Sequence, residues 1–459
     1  MPATTPQTAQ RGTPGRRRQL FVAMAAAAAL AWGAVACSEP EDAAVGNPAS
    51  EEATLRAAAC DGLDLIGCAR LSSIAALVPD APEAATGEPL VLGVVNQEAT
   101  PAGSFPELTT AMGAAAEFVN DQLGGVGGRP VELRVCNTEF SAEGSTACGQ
   151  RLTESGAVAV LGGIDVFGNA IEILDTNGVP YVGGIPISFS SVRSPNSFQF
   201  SGGTWGAAVA LADYATTELG ARRVSIVFGD FGAIADGAGY ARTVLAARGA
   251  EVQLVPHPIL ETDLTSPLSV VAASDPDAVI VLTADTGCRA AFGAVGAVGI
   301  DVPVLYTGAC AAPNIVAGAD PAVTDGALFN VEGPVSPREP QPDFALYTRI
   351  LGDYAPDINP IGAPTVTFRS FMNLYAVLAG LANGPGGADD IDAGAVAGSL
   401  AAQRDTPSFM GHPYTCDREQ MEGLPSVCSP QQIVAQLADG ELVQRTGWVD
   451  VGAIYDRSR

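Results

Sequence analysis

Leu90-Val91-Leu92-Gly93-Val94-Val95 is an unbroken apolar run, as expected of a strand buried on both faces. Leu108, Met112, Ala115, Val119 and Leu123 follow at helical spacing. Gly124-Gly125-Val126-Gly127-Gly128 then ends the helix, and Val131–Val135 reads as the next strand. The glycine run precedes a strand rather than opening a helix, so it is a helix-to-strand turn and not a phosphate loop. One strand, one helix and a second strand make the repeating unit of a parallel sheet.

The unit recurs outward from there. Ala157–Leu161, Val179–Val182, Val224–Phe228, Glu251–Val255, Ala278–Leu282 and Val302–Tyr306 read as strands. Helical stretches about Ala170–Thr176, Trp205–Leu219, Ala238–Arg248 and Arg289–Val298 separate them. There are too many strands for one comfortable sheet, so the pattern predicts an α/β fold of two doubly wound parallel-sheet lobes. The C-terminal part is less regular. Val366–Leu381 reads as a helix, residues 405–430 as loops, and Gln431–Leu437 as a short amphipathic segment.

The chain has 459 residues, and its 23 basic side chains are all arginine. The absence of lysine excludes a P-loop lysine, a Schiff-base lysine and a Ser–Lys dyad. Four arginines and no acid precede Cys37, leaving 19 basic against 50 acidic side chains in the remainder. Such a surface repels nucleic acid and anionic headgroups, so no nucleic-acid partner is expected. No G-x-S-x-G or H-E-x-x-H occurs, and His257 and His412 are the only histidines. A hydrolase therefore lacks its usual parts, although a carboxylate-pair glycosidase is not excluded by residue count. No metal site and no cofactor are expected.

Arg16-Arg17-Arg18, an apolar stretch from Leu20 to Ala36, and small residues before Cys37 form a secretory signal. The cysteine directly after Ala34-Val35-Ala36 makes it resemble a bacterial lipoprotein signal, in which the cysteine carries the lipid. Ala34 stands where that family commonly has leucine, which leaves secretion without a lipid as the alternative. The other eight cysteines are an even set suited to an oxidising compartment. Proximity suggests Cys60–Cys68, Cys136–Cys148, Cys288–Cys310 and Cys416–Cys428, among the 105 pairings that eight cysteines allow.

Several segments together resemble the type I periplasmic binding proteins of the branched-chain amino acid (Leu/Ile/Val-binding) family. They are Phe118-Val119-Asn120 with the glycine turn, Ala159-Val160-Leu161-Gly162-Gly163, Gly178-Val179-Pro180-Tyr181-Val182, Arg223–Val227, Asp277–Val281 and Val298-Gly299-Ile300. The resemblance spans about residues 88–380. It implies two lobes joined by a three-strand hinge, a small-molecule ligand between them, no catalysis, and delivery to an ABC permease. A sensor handing its signal to a membrane receptor is the alternative within the same fold. The expected organisation is a signal over 1–36, a lipid-attached tether over 37–56 and a disulfide-containing extension over 57–87. Lobe 1 is then 88–205 with 333–405, and lobe 2 is 206–332 with 406–459. The expected location is the outer face of the bacterial cytoplasmic membrane, as a monomer held there by the N-terminal lipid.

Parallel α/β sheets bind ligands beyond the carboxyl ends of their strands. That rule selects Gln97 and Phe105 after the first strand, and Asp165, Val166 and Phe167 after Leu161. It selects Gly184, Ile185 and Pro186 after Val182, and Phe231, Asp285 and Ala309 in the second lobe. Phe105, Phe167 and Phe231 suit a flat or apolar group. Asp165 either caps the following helix or meets the ligand, where its charge disfavours a free α-amino acid's carboxylate. Asp285 carries the same two readings.

Overall fold

The computed structural model describes residues 60–98, 103–333 and 341–459. The expected signal, Cys37 and the tether lie outside the described residues.

β1 (Leu90–Asn96) is the hub of a five-stranded parallel sheet. The order is β2-β1-β3-β4-β5, with β2 Val131–Asn137, β3 Ala159–Gly162, β4 Tyr181–Val182 and β5 Ser197–Phe198. Alternate residues of β1 serve two cores. Leu90, Leu92 and Val94 pack with helices Pro106–Gln122 and Pro364–Ala382. Val95 and Val91 pack with helices Ala142–Glu154 and Asn169–Thr176. Two covered faces are why the strand carries an unbroken apolar run.

The second sheet has seven strands: β6 Arg223–Gly229, β7 Glu251–His257, β8 Ala278–Leu282, β9 Val304–Tyr306, β10 Leu328–Val331, β11 Ile433–Ala438 and β12 Glu441–Gln444. Their order is β12-β11-β10-β9-β8-β6-β7. The first five in sequence run parallel, whereas β11 and β12 add an antiparallel edge. The edge departs from the purely parallel expectation. Its signal is the dipeptide Asp439-Gly440, whose positive φ values of 52° and 82° suit a tight hairpin turn.

Four disulfides form, in the four pairs that proximity suggested. In the segment before β1, Ile66, Cys68, Ala69 and Ile74 enter the first core. Backbone bonds from Glu83 to Gln122 and from Gly87 to Gly128 fasten that segment at the amino end of the strands, away from their carboxyl ends. Phe409, Met410, Tyr414 and Cys416 also belong to the first core, while Met421, Leu424 and Val427 belong to the second. Cys428 is again in the first core and Val434 in the second, so the chain between Cys416 and Val434 touches both cores. No helix among the described residues is long and apolar enough to cross a membrane.

Three segments join the lobes, and one carboxylate touches each of them. Glu332, just after β10, accepts from Ser201 Oγ at 2.6 Å and from Gln432 Nε2 at 3.0 Å. Ser201 leads out of β5, and Gln432 leads into β11. From the first lobe Arg369 pairs with the other carboxylate oxygen at 3.2 Å and also donates to the Glu332 carbonyl. Its side chain is only 4% exposed, so the charge has lost nearly all water and depends on this partner.

Arg369→Met is expected to cost about 3–5 kcal/mol, because it leaves a carboxylate unpaired within the hinge. Adding Glu332→Gln should recover part of that loss. Denaturant titration of the wild type, both single variants and the double variant checks this, and strictly additive losses would refute the coupling.

Candidate functional site

The carboxyl ends of β1, β2 and β3 form one wall of a cleft, and those of β6, β8 and β9 supply residues of the other. Two asparagines hold the first wall together. Asn96 is fully buried, and its Nδ2 donates to the Phe105 carbonyl at 2.7 Å and to Glu98 at 3.0 Å. Its Oδ1 accepts from Ile164 N at 3.2 Å, which ties the loop after β1 to the loop after β3. Asn137 grips Glu98 by both backbone groups, accepting from its N–H at 2.9 Å and donating to its carbonyl at 2.7 Å. Neither asparagine was singled out by sequence, where each reads only as the polar end of a strand.

Phe167 and Phe231 meet across the cleft, edge to face, with centroids 6.2 Å apart. Phe140 packs on Phe167 from the loop after β2, at 5.6 Å. Sequence reasoning missed Phe140, although the strand-end rule applied to β2 would have found it. Its backbone is held at φ 48°, beside Glu139 at φ 54°. The Cys136–Cys148 bridge and the Ser141 cap on helix Ala142–Glu154 bracket this turn.

Asp165 is turned into the protein. Its two oxygens accept from Ser145 Oγ at 2.8 Å and from Gly168 N at 3.1 Å. Ser145 Oγ in turn accepts from Ala170 N at 2.8 Å, so the pair satisfies the start of helix Asn169–Thr176. Of its two sequence readings, capping describes the observed bonds. Burial pushes the Asp165 carboxyl up, and the hydrogen bonds pull it partly back.

Val166 and Ile185 are half-buried beside Phe167 in sequence and sheet order. Gly184 has φ 91°, and a Cβ there would fall 2.6 Å from the Gly162 backbone, so only glycine fits. Its N–H donates to Ser370 Oγ at 3.2 Å. Pro186 is buried and its carbonyl accepts from Thr204 N at 3.5 Å, which makes it a joint between lobes more than a pocket wall. Ala309 is exposed on the turn that Cys288–Cys310 fastens to helix Asp285–Val298.

Gln97 is buried, with Nε2 donating to the Gly103 carbonyl at 3.1 Å. Phe105 is half-buried and its N–H donates to the Gln97 carbonyl. A cavity of about 470 Å³ opens between Gly103 and the second-lobe residues Thr262, Asp263, Asp285, Thr286 and Arg289. Asp285 is the one sequence-selected residue on its wall. Burial pushes the Asp285 carboxyl up, and nearby Arg289 opposes that shift. Among the described residues no group of three or more His, Cys, Asp or Glu is arranged to hold a metal ion.

A family profile described as periplasmic binding protein matches residues 89–426. A search of curated protein sequences gives no match. Solved structures with the same fold include a leucine-binding protein from Thermotoga maritima, at 15% identity and TM-score 0.64, covering 78% of this chain and 98% of that one. A solute-binding protein of an ABC transporter from R. palustris, in complex with 4-hydroxybenzoate, has 17% identity and TM-score 0.64, covering 79% and 96%. A fatty acid ABC transporter substrate-binding protein from Thermomonospora curvata has 16% identity and TM-score 0.66, covering 83% and 96%.

Asp165 has a signed consequence for stability. The unfolded carboxyl loses its proton near about pH 4, and the folded one loses it higher. Between the two the folded state holds more protons, so this group's contribution falls as pH rises and levels off above the folded value. Asp165→Asn should therefore flatten the decline in stability between about pH 4 and neutrality. Thermal unfolding across that range checks it, and an unchanged profile would contradict it.

Proposed function

The chain belongs to the periplasmic binding protein family, and on that premise we propose that it is a lipid-anchored carrier which captures a small amphipathic molecule between its lobes and hands it to an ABC importer. The observation that carries this reading is the contact of Phe167 with Phe231, one ring from each lobe. A ligand seated there touches both lobes at once, and only such a ligand can favour their closed arrangement. Val166, Phe167, Phe140 and Ile185 give the first wall an apolar character suited to a flat or branched body. The solved relatives are described with leucine, 4-hydroxybenzoate and fatty acid. That spread supports a fold whose strand-end loops choose the ligand, and these loops are aromatic.

In this reading Cys37 carries the lipid and residues 37–56 are the tether, which places the carrier outside the cytoplasm as a monomer beside its permease. The two faces of the cleft then move about the Glu332 hinge. Ligand capture needs no bond to form or break, and the non-enzymatic character of the family accords with that.

A thermal-shift screen of amino acids, amines, amides, nucleosides, sugars and aromatic acids tests the reading. A ligand at 100 times its Kd should stabilise the protein by about 2.7 kcal/mol. Phe231→Ala is expected to weaken the best ligand by about tenfold or more while leaving the far-UV spectrum unchanged. An undiminished affinity in both Phe167→Ala and Phe231→Ala would remove the cleft from the account. Separately, Cys37→Ser should release the protein from membranes into the soluble fraction, and continued membrane association would refute the lipid anchor.

A further inference from the structure

Behind Phe231 the second-lobe wall rests on one buried histidine. Two backbone bonds close the turn after β6. Phe231 N donates to the Gly229 carbonyl at 2.8 Å, and Asp230 N donates to the His257 carbonyl at 2.7 Å. His257 is the last residue of β7 and stands in register with Gly229. A Cβ on Gly229 would fall 2.6 Å from the Ile259 side chain, so the turns after β6 and β7 pack directly on each other. A displacement at the end of β7 therefore reaches the turn that presents Phe231.

The His257 side chain is buried, with the residue only 2% exposed. Its Nδ1 lies 2.8 Å from the Pro258 carbonyl. A carbonyl only accepts, so Nδ1 carries the hydrogen and Nε2 is the bare nitrogen. Nε2 is buried and has no partner among the described residues. A proton taken up there becomes a buried charge whose N–H has no acceptor.

The surroundings offer little to hold that charge. His257 shares a strand face with Val255, which packs with Leu264 and Leu268. Helix Thr265–Ala273 on that face has no charged residue. Asp230 lies on the turn after β6, and Glu261 and Asp263 lie on the turn after β7. Glu261 Oε1 accepts from Thr262 N at 3.0 Å, and Asp263 accepts from Thr265 N at 2.8 Å. Asp236 and Arg242 belong to helix Gly232–Ala247 on the opposite face, where Trp205 and Arg193 hold Asp236. Burial pushes the His257 imidazole down, and the Pro258 bond and the Glu261 charge only oppose that shift. His412 repeats the local motif elsewhere: its Nδ1 is 2.8 Å from the Pro413 carbonyl, and it is half-buried against Trp448.

We propose that His257 is an acid-sensitive catch on the second-lobe wall. With Nε2 bare, the imidazole holds the end of β7 and the turn that carries Phe231. When mild acid protonates Nε2, the ring leaves its buried place, the bond from Asp230 to His257 opens, and Phe231 loses its position in the cleft. An imidazole freed from the fold takes up its proton near about pH 6.5, and the buried one does so lower. Between the two the opened form holds more protons, so the catch is secure above about pH 6.5 and weakens as pH falls. The catch stands on the geometry of the two turns alone. Its consequence, that solute is captured at neutral pH and let go in acid, rests on the solute-binding reading.

The test is hydrogen exchange of the purified protein with no solute added, read as amide protection after correction for the intrinsic rate at each pH. Protection of residues 229–231 and of the end of β7 is expected to fall about tenfold between pH 7 and pH 5, while that of β1 stays constant. His257→Asn keeps a donor for the Pro258 carbonyl but takes up no proton, and His257→Phe fills the space with neither nitrogen. Each should abolish the fall, whereas His412→Asn should retain it. Protection indifferent to pH, a fall that persists in both His257 variants, or a loss spread evenly over both lobes overturns the catch. Proton NMR of the histidine rings, with His412→Asn to assign them, needs no His257 variant to fold. A His257 signal that titrates at about pH 6.5 or above also overturns it. Each of these outcomes leaves the solute-binding reading to the thermal-shift screen.

Discussion

The ion pair between Glu332 and Arg369 is the constraint on which the arrangement of the lobes depends. Ser201, Glu332 and Gln432 lie one on each connecting segment, and Glu332 binds the other two directly. Arg369 fixes that knot to the first lobe from the long helix Pro364–Ala382. Asn330 extends it into the second, donating to Gln432 Oε1 at 2.9 Å and accepting from Gly308 N at 2.6 Å. A buried pair of this kind adds little net stability against an apolar substitute, yet it is costly to break halfway. Its value here is in register: the three segments are held to one another.

The cleft walls are braced by a related logic. Cys136–Cys148 lies behind the Phe140 turn, and Cys288–Cys310 joins the helix that begins at Asp285 to the turn that carries Ala309. Both bridges sit at carboxyl ends of strands, where loops would otherwise have many conformations. Asn96 and Asn137 do the same work with hydrogen bonds. Walls prepared in this way lose less entropy when a ligand is bound.

The sequence made some of this legible and hid the rest for physical reasons. Apolar runs such as Leu90–Val95 and Ala278–Leu282 announce buried parallel strands, because covering both faces leaves no room for alternation. The family resemblance agrees with the profile match and with the solved folds. β11 was hidden because Ile433–Leu437 is too short to separate strand from helix by period, and the Asp439-Gly440 turn beside it was the better signal. The strand-end rule selected Phe167 and Phe231, whose rings meet across the cleft, because it needs only strand positions. It does not tell which way a side chain points, so Asp165 was grouped with the pocket while its carboxylate caps a helix. The knot at Glu332 was out of reach: Ser201, Glu332, Arg369 and Gln432 are distant in sequence, and only the folded hinge assembles them.

The most direct test of the central claim is a crystal structure of the protein with whichever compound stabilises it most against heat. The account predicts that compound against the rings of Phe167 and Phe231, in contact with both lobes, with Glu332 still bonded to Ser201, Gln432 and Arg369. A compound bound to one lobe alone, or lodged away from these two rings, would contradict it.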